Sequence, residues 1–352
     1  MVGGRTTVER RRTDGAVARG RTTVMADVAR LAGVSHQTVS RVLHDSPRVR
    51  PETRSRVLAA MEELQYRPNT VARALVTGRS MTLGVVSFDT TLYGPASTVL
   101  GIERAAHDAG YFVSLASVRS LDAESVRTAM DRLRGQGVDG IVVIAPMASA
   151  AGALDDIPPG PPVVVAEAGA DGAVPAVTVD QFAGAVAATE HLLALGHRTV
   201  RHLAGPQDWP EAQQRLAGWR AAVDAAGARR GRVLVGDWSP RSGYELGGRL
   251  AEDPAATAIF VANDQMALGL LRRLHEAGRA VPDDVSIVGF DDIPEAEYFT
   301  PPLTTVRQEF DEVGRSSLAL LLRQLAAGTR PEPSVTVAPR LVLRSSTGPA
   351  GS

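Results

Sequence analysis

Residues 26–43 read ADVARLAGVSHQTVSRVL, and how this stretch folds decides how the rest of the chain is read. Val24, Val28 and Leu31 share one helical face, Gly33 interrupts the periodicity, and Val39 and Val42 resume it. A glycine supplies the left-handed residue of a tight turn. Ser35 is a good N-cap for a second helix, and Ala29 and Val39 are small enough to let two helices cross closely. This pattern predicts a helix-turn-helix. In that plan the first residues of the second helix enter the major groove, which puts His36, Gln37 and Arg41 at base edges. Gln37 suits adenine and Arg41 the O6 and N7 of guanine, each good pair discriminating by about 1–3 kcal/mol.

A plain helical hairpin on a protein surface would show the same periodicity, and charge separates the two readings. Residues 1–79 hold 15 Arg against 7 acidic residues, whereas residues 80–352 hold 23 Arg against 32. The first segment therefore seeks polyanions and the second does not. Every basic side chain is arginine, the type suited to bidentate phosphate and guanine contacts. Downstream, Pro51 opens a third helix with Val57, Leu58, Met61 and Leu64 beneath it, ending before Arg67-Pro68. Upstream, residues 1–22 are rich in Arg, Thr and Gly without apolar periodicity and are expected to form a disordered basic arm.

After Gly78 the pattern changes. Apolar runs recur between helical stretches: LGVVSF (83–88), FVSLASV (112–118), GIVVIAP (140–146), PVVVAE (162–167), VRHLAG (200–205), AIFVAND (258–264) and VSIVGFDD (285–292). Strands alternating with helices imply an α/β class with parallel sheets covered on both faces. Two sets of such units suggest two doubly wound subdomains with a cleft at the strand C-terminal ends, where ligands settle. Polar residues fall at those ends: Glu167, Asp180, Asn263, Asp264, Asp291 and Asp292. Asn263-Asp264 also reads as a helix start, a role expected of Asp264. DDIPPGPP (155–162) reads as a loop.

Composition narrows the function. With 44% hydrophobic and 22% charged residues the chain is globular, and its length suits two or three domains. The lack of cysteine removes disulfides and thiolate chemistry, and seven scattered histidines make no zinc motif, so neither metal nor cofactor is expected. There is no long apolar run and no signal-peptide pattern, which predicts a cytoplasmic protein. That also disfavours a periplasmic sugar-binding protein. An enzyme acting on sugars would want paired carboxylates or a nucleotide-binding GxGxxG, and neither is found.

The run TVMADVARLAGVSHQTVSRVLHDSPRVRPETRSRVLAAMEELQYRPNTVARAL resembles the headpiece of the lactose/galactose repressor (LacI/GalR) family. The resemblance continues through GHRTVRHLAGP, RLAGWRAAV, GDWS, VANDQMALGLLRRL, VSIVGFDD and PPLTTVRQEF. It implies a DNA-binding regulator, most simply a repressor of sugar-utilisation genes. The implied organisation is a headpiece at 23–68 and a hinge helix at 69–79. A periplasmic-binding-protein-like core follows at 80–345, divided into 80–179 with 310–337 and 180–309 with 338–345, and residues 346–352 are expected as a disordered tail. The same resemblance implies that Ser35, Ser40, His44, Thr53 and Asn69 touch phosphates. Leu75 would wedge into the minor groove from a helix too short to be stable alone.

For the effector the resemblance implies Arg215, Asn263, Asp291 and Gln308 on sugar hydroxyls, and Trp238 as stacking face with Phe310 beside it. Leu92 and Pro95 would line the apolar end. Two departures bear on which sugar is bound: Ile144 stands where the lactose-responsive branch has an asparagine, and Glu167 replaces an aspartate. A galactoside or another mono- or disaccharide is implied, with a nucleoside as the alternative. A two-fold homodimer on a palindromic operator follows from the helix-turn-helix, and the tail TGPAGS carries no leucine heptads that would build a tetramer.

Overall fold

The computed structural model describes residues 23–43, 46–67, 78–88, 91–120, 122–144, 154, 157–167, 174–327 and 333–351. The expected arm at 1–22, the hinge segment from 69 to 77, and His44, Asn69 and Leu75 lie outside them. The chain forms two compact units, Met1–Gly78 and Arg79–Ser352.

In the first unit α1 (Met25–Ala32), α2 (His36–Leu43) and α3 (Pro51–Glu63) follow one another. The Asp27 carboxylate accepts from the Val24 N–H at 3.1 Å and closes the start of α1. Gly33, at φ 64°, ends it in the left-handed region, and the Val34 N–H turns back to the Ala29 carbonyl at 3.0 Å. Ser35 Oγ accepts from the Thr38 N–H at 3.2 Å and starts α2, while Pro51 occupies the first turn of α3. Val28, Val39 and Val57 are fully buried, with Ala29, Ala32, Val42 and Ala60 around them. Leu31 and Leu58, expected beneath, are instead about half exposed. Three short helices built around valine and alanine leave no interior volume for them.

The second unit holds β1 (Thr82–Phe88), α4 (Tyr93–Asp108), β2 (Phe112–Val118), α5 (Ala123–Gly135), β3 (Gly140–Ile144), β4 (Val163–Ala166) and β5 (Ala176–Val179). It continues with α6 (Gln181–Ala194), β6 (Thr199–Ala204), α7 (Pro210–Ala225), β7 (Arg229–Val235), α8 (Pro240–Ala251), β8 (Ala258–Val261), α9 (Asp264–Glu276) and β9 (Ser286–Asp291). After a short 3-10 turn (Pro294–Tyr298) come β10 (Thr304–Arg307), α10 (Phe310–Ala327), β11 (Val335–Val337) and β12 (Arg340–Val342).

These strands make two sheets, ordered β11-β5-β4-β3-β1-β2 and β12-β10-β9-β8-β6-β7. Every pairing is parallel except β10 with β12. Strands β3, β4, β8 and β9 are buried along their whole length, which is why they read as unbroken apolar runs. The order reverses between β1 and β3 in one sheet and between β6 and β8 in the other, and a crevice opens at each reversal. The chain crosses between the sheets at 180–181, again near 308–310, where α10 returns to pack on α4, and once more between β11 and β12.

Residues 346–351 are not a disordered tail. Ser346 is fully buried, donates to the Ile287 carbonyl at 2.6 Å and accepts from the Thr304 N–H at 2.8 Å. The Ala350 N–H reaches the Leu195 carbonyl at 2.9 Å. A small hydroxyl that both donates and accepts satisfies two sheet groups at once, and composition alone does not reveal that.

Candidate functional site

In the first unit, α2 turns His36, Gln37 and Arg41 outward while Val39 and Val42 point into the core. Gln37 and Arg41 are four residues apart and therefore share a face. Ser35 is exposed, and Ser40 and Thr53 are half-buried. The Ser35 hydroxyl lies 2.9 Å from Thr38 Oγ1 in addition to its capping bond. The side chains expected on bases and three of those expected on phosphates thus occupy α2, its cap and the start of α3.

The second unit contains a cleft, open to solvent, at the strand ends. All nine side chains expected around an effector line it: Leu92 and Pro95 at the start of α4, Glu167 after β4, Arg215 on α7, Trp238 before α8, Asn263 after β8, Asp291 ending β9, Gln308 after β10, and Phe310 opening α10. Both sheets contribute walls, because the chain crossings bring the two sets of strand ends together.

The polar wall is a closed ring. Arg215 Nε donates to Gln181 Oε1 at 2.8 Å, Gln181 Nε2 donates to Gln308 Oε1 at 2.7 Å, and Gln308 Nε2 donates to Asp291 Oδ1 at 2.6 Å. Arg215 Nη1 completes it 3.7 Å from Asp291 Oδ1 and also donates to the Ala262 carbonyl. The guanidinium lies 4.0 Å over the Phe290 ring. Arg215 is only 5% exposed, so it is no surface ion-pairing residue. Each member holds its neighbour's rotamer, which fixes the direction of the remaining donors and acceptors.

The apolar wall is aromatic. Trp238 meets Trp209 edge-on, with centroids 5.7 Å apart at 73°. Phe310, expected beside Trp238, has Tyr93 as its ring partner at 5.8 Å and 78°. Trp238 can lie where it does because residue 205 is glycine: a Cβ there would sit 2.1 Å from Trp238 Cη2. Glu167, Trp238 and Asp291 all take positive φ (63°, 74° and 110°). Such backbone costs about 1–3 kcal/mol per residue and clusters where side chains must be aimed.

Asn263, besides lining the cleft, takes the capping role expected of Asp264. Asn263 caps α9 through Oδ1, which accepts from the Met266 N–H at 2.9 Å, and its amide donates to the Trp238 carbonyl at 3.0 Å. Asp264 is fully buried and accepts from Thr305 Oγ1 at 2.6 Å and the Ile293 N–H at 2.9 Å. It binds β9, β10 and α9 together. Of the other polar strand ends, Asp180 caps α6, and Asp292 forms ion pairs with Arg307 and Arg344. Ile144 is fully buried in the core of the first sheet and contributes nothing to the cavity wall.

Acids dominate the electrostatics. Burial pushes Glu167 up to about 7, opposed by the hydrogen bond from the Thr98 hydroxyl. Asp291 is raised to about 6 by burial, against the pull of Arg215 and Gln308. Burial likewise lifts Glu211 and Asp264 well above the usual carboxylate range. Among the described residues there is no cluster of histidines and carboxylates arranged to hold a metal ion.

Tyr93, Gly94, Gln181, Trp209, Glu211 and Gln265 complete the wall and carry no site signal in the sequence. Gln181 follows the capping Asp180 and reads as an ordinary first-turn residue. Trp209 and Glu211 flank Pro210 and read as a helix start. The usable signal was position, since both stretches immediately follow strand ends.

The family description "Bacterial regulatory proteins, lacI family" matches residues 24–69, and "Periplasmic binding protein-like domain" matches residues 189–347. The chain is 35% identical over 323 residues to the lactose operon repressor of Escherichia coli (strain K12), covering 91% of this chain and 89% of that protein. It is 36% identical over 334 residues to the HTH-type transcriptional regulator CelR of Thermobifida fusca, covering 91% and 96%. Its fold matches a crystal structure of the lac repressor dimer bound to operator and the anti-inducer ONPF with a TM-score of 0.81. That match has 34% identity and covers 93% of this chain and all of the other.

Proposed function

Because this chain belongs to the lacI family of bacterial regulatory proteins, we propose that it is a repressor that binds a palindromic operator as a homodimer and leaves it when a sugar fills the cleft. The observation that carries the ligand half is the cavity itself. A closed ring of Arg215, Gln181, Gln308 and Asp291 adjoins two aromatic pairs, with Arg215 5.5 Å from the Trp238 ring centroid. Sugars need hydrogen-bonding groups for adjacent hydroxyls and an apolar face for the ring, and both line this cleft. A galactoside or other glycoside fits that chemistry; a nucleoside is the alternative ligand.

On the DNA side, His36, Gln37 and Arg41 read bases, Ser35, Ser40, His44, Thr53 and Asn69 touch phosphates, and Leu75 wedges into the minor groove. We read the core as two subdomains, 80–179 with 310–337 and 180–309 with 338–345, that bind the sugar between them. Effector and operator are then linked by a coupling free energy of about 1–3 kcal/mol, a 5- to 150-fold change in operator affinity.

A thermal-shift screen of mono- and disaccharides and nucleosides, followed by operator release with the best binder, tests this. A sugar that raises the melting temperature and lowers operator affinity at least fivefold is expected. Stabilisation by nucleosides alone would replace the sugar with the alternative, and failure to bind any duplex would end the repressor reading.

A further inference from the structure

Three carboxyl groups, Glu167, Glu211 and Asp291, line the cavity, and one guanidinium, Arg215, faces them. That guanidinium is already engaged by Gln181, the Ala262 carbonyl and Asp291. Asp291 has Gln308 as well. Arg215 attracts both glutamates from a distance, but among the described residues neither forms an ion pair. Glu167 accepts from the Thr98 hydroxyl. Glu211 Oε2, in the first turn of α7, is buried and has no hydrogen-bond partner among the described residues. Trp238, only 8% exposed on the same wall, also has an unpartnered Nε1.

The glutamates come from opposite sides. Glu167 ends a strand of the first sheet, Glu211 begins a helix packed on the second, and the Glu167 charge is felt at Glu211. Two facing buried carboxyls without an ion pair hold protons in the cleft, and a cation entering between them would stabilise their charged forms. A neutral polyol supplies hydroxyl donors but no charge. A primary ammonium supplies three donors and a positive charge, and the flanking rings of Trp209, Trp238, Tyr93 and Phe310 provide faces that attract cations.

We propose that the effector is an amine-bearing glycoside whose ammonium group bridges Glu167 and Glu211 across the cleft. This rests on the reading of the cleft as a sugar site and names the sugar's class. The bridge draws together the walls from the two sheets, so the ligand's charge contributes to closure as well as affinity.

The test is calorimetric titration of the full chain with the methyl glycosides of glucosamine and galactosamine and with the β-1,4-linked glucosamine disaccharide. Each is compared with its neutral parent sugar and its N-acetyl form, and operator release is measured in parallel. At least one amine form is expected to bind about tenfold or more tighter than both counterparts and to release operator best. Glu211→Gln and, separately, Glu167→Gln are expected to reduce that preference to within about twofold. A neutral parent that bound as tightly and released operator would overturn the amine assignment while leaving the sugar-responsive repressor intact. An amine preference that survived both substitutions would overturn the bridge. If none of these sugars bound, the amine assignment and the sugar reading would fall together.

Discussion

Gln181→Leu should disable the cleft without touching the ligand's aromatic platform. The substitution nearly preserves volume but deletes both hydrogen bonds through which Gln181 joins Arg215 at 2.8 Å to Gln308 at 2.7 Å. It leaves a guanidinium N–H and an amide oxygen buried without partners, since Arg215 and Gln308 are 5% and 7% exposed. A hydrogen bond to a charged group contributes about 1.5–3 kcal/mol and a neutral one about 1 kcal/mol, so the combined loss is about 3 kcal/mol. If the ring is what aims Asp291 and Arg215, that loss is divided between fold stability and effector affinity. The summed change from urea unfolding and from tryptophan-fluorescence titration of the effector should then approach about 3 kcal/mol, with affinity down at least tenfold. A variant within twofold of wild type in affinity and within about 0.5 kcal/mol in stability would show that the ring positions nothing.

Gly205→Ala places a methyl 2.1 Å from Trp238 Cη2, so the indole must retreat. Overpacking of this kind costs about 1–3 kcal/mol, and a lower melting temperature with at least fivefold weaker effector binding is expected; unchanged binding would remove Trp238 as the platform. Arg41→Ala should relax operator preference at a single base pair by about 1–3 kcal/mol, read by competition with operator variants, and an unaltered preference profile would exclude Arg41 from base reading. Glu167, raised to about 7 from 4.5 by burial, contributes stability that is whole below about pH 4.5 and is lost as pH rises through 7. That loss amounts to about 3 kcal/mol. Glu167→Gln should therefore flatten the decline in unfolding free energy between pH 4.5 and pH 8, and a wild-type slope in the variant would deny the buried ionisation.

The parts of this protein legible in the sequence are those where one physical rule dominates. Central strands such as Gly140–Ile144 and Ser286–Asp291 are covered on both faces and read directly as apolar runs. Edge strand Arg229–Val235 escaped notice because its exposed alternation carries three arginines. Thr304–Arg307 escaped because its fully buried threonines are satisfied by Asp264 and by the Ser346–Thr347 segment, partners remote in sequence. The cavity shows the same division. Asp291 and Trp238 stand in sequence contexts that announce them, whereas Gln181 matters only through Arg215 and Gln308, 34 and 127 residues away. Long-range polar pairing leaves no periodic trace. That Asn263 rather than Asp264 caps the helix was hidden similarly, since either side chain can cap and only the buried partners of Asp264 decide between them.

The central claim is that one protein carries two linked binding events. It is tested most directly by measuring the effector dissociation constant for the free protein and for the protein saturated with operator, alongside the operator dissociation constant with and without effector. Linkage requires the two ratios to be equal, and the account predicts both between about 5 and 150, with operator and effector opposing one another. Effector affinity that is the same on and off DNA, while the sugar binds in the cleft, would contradict it.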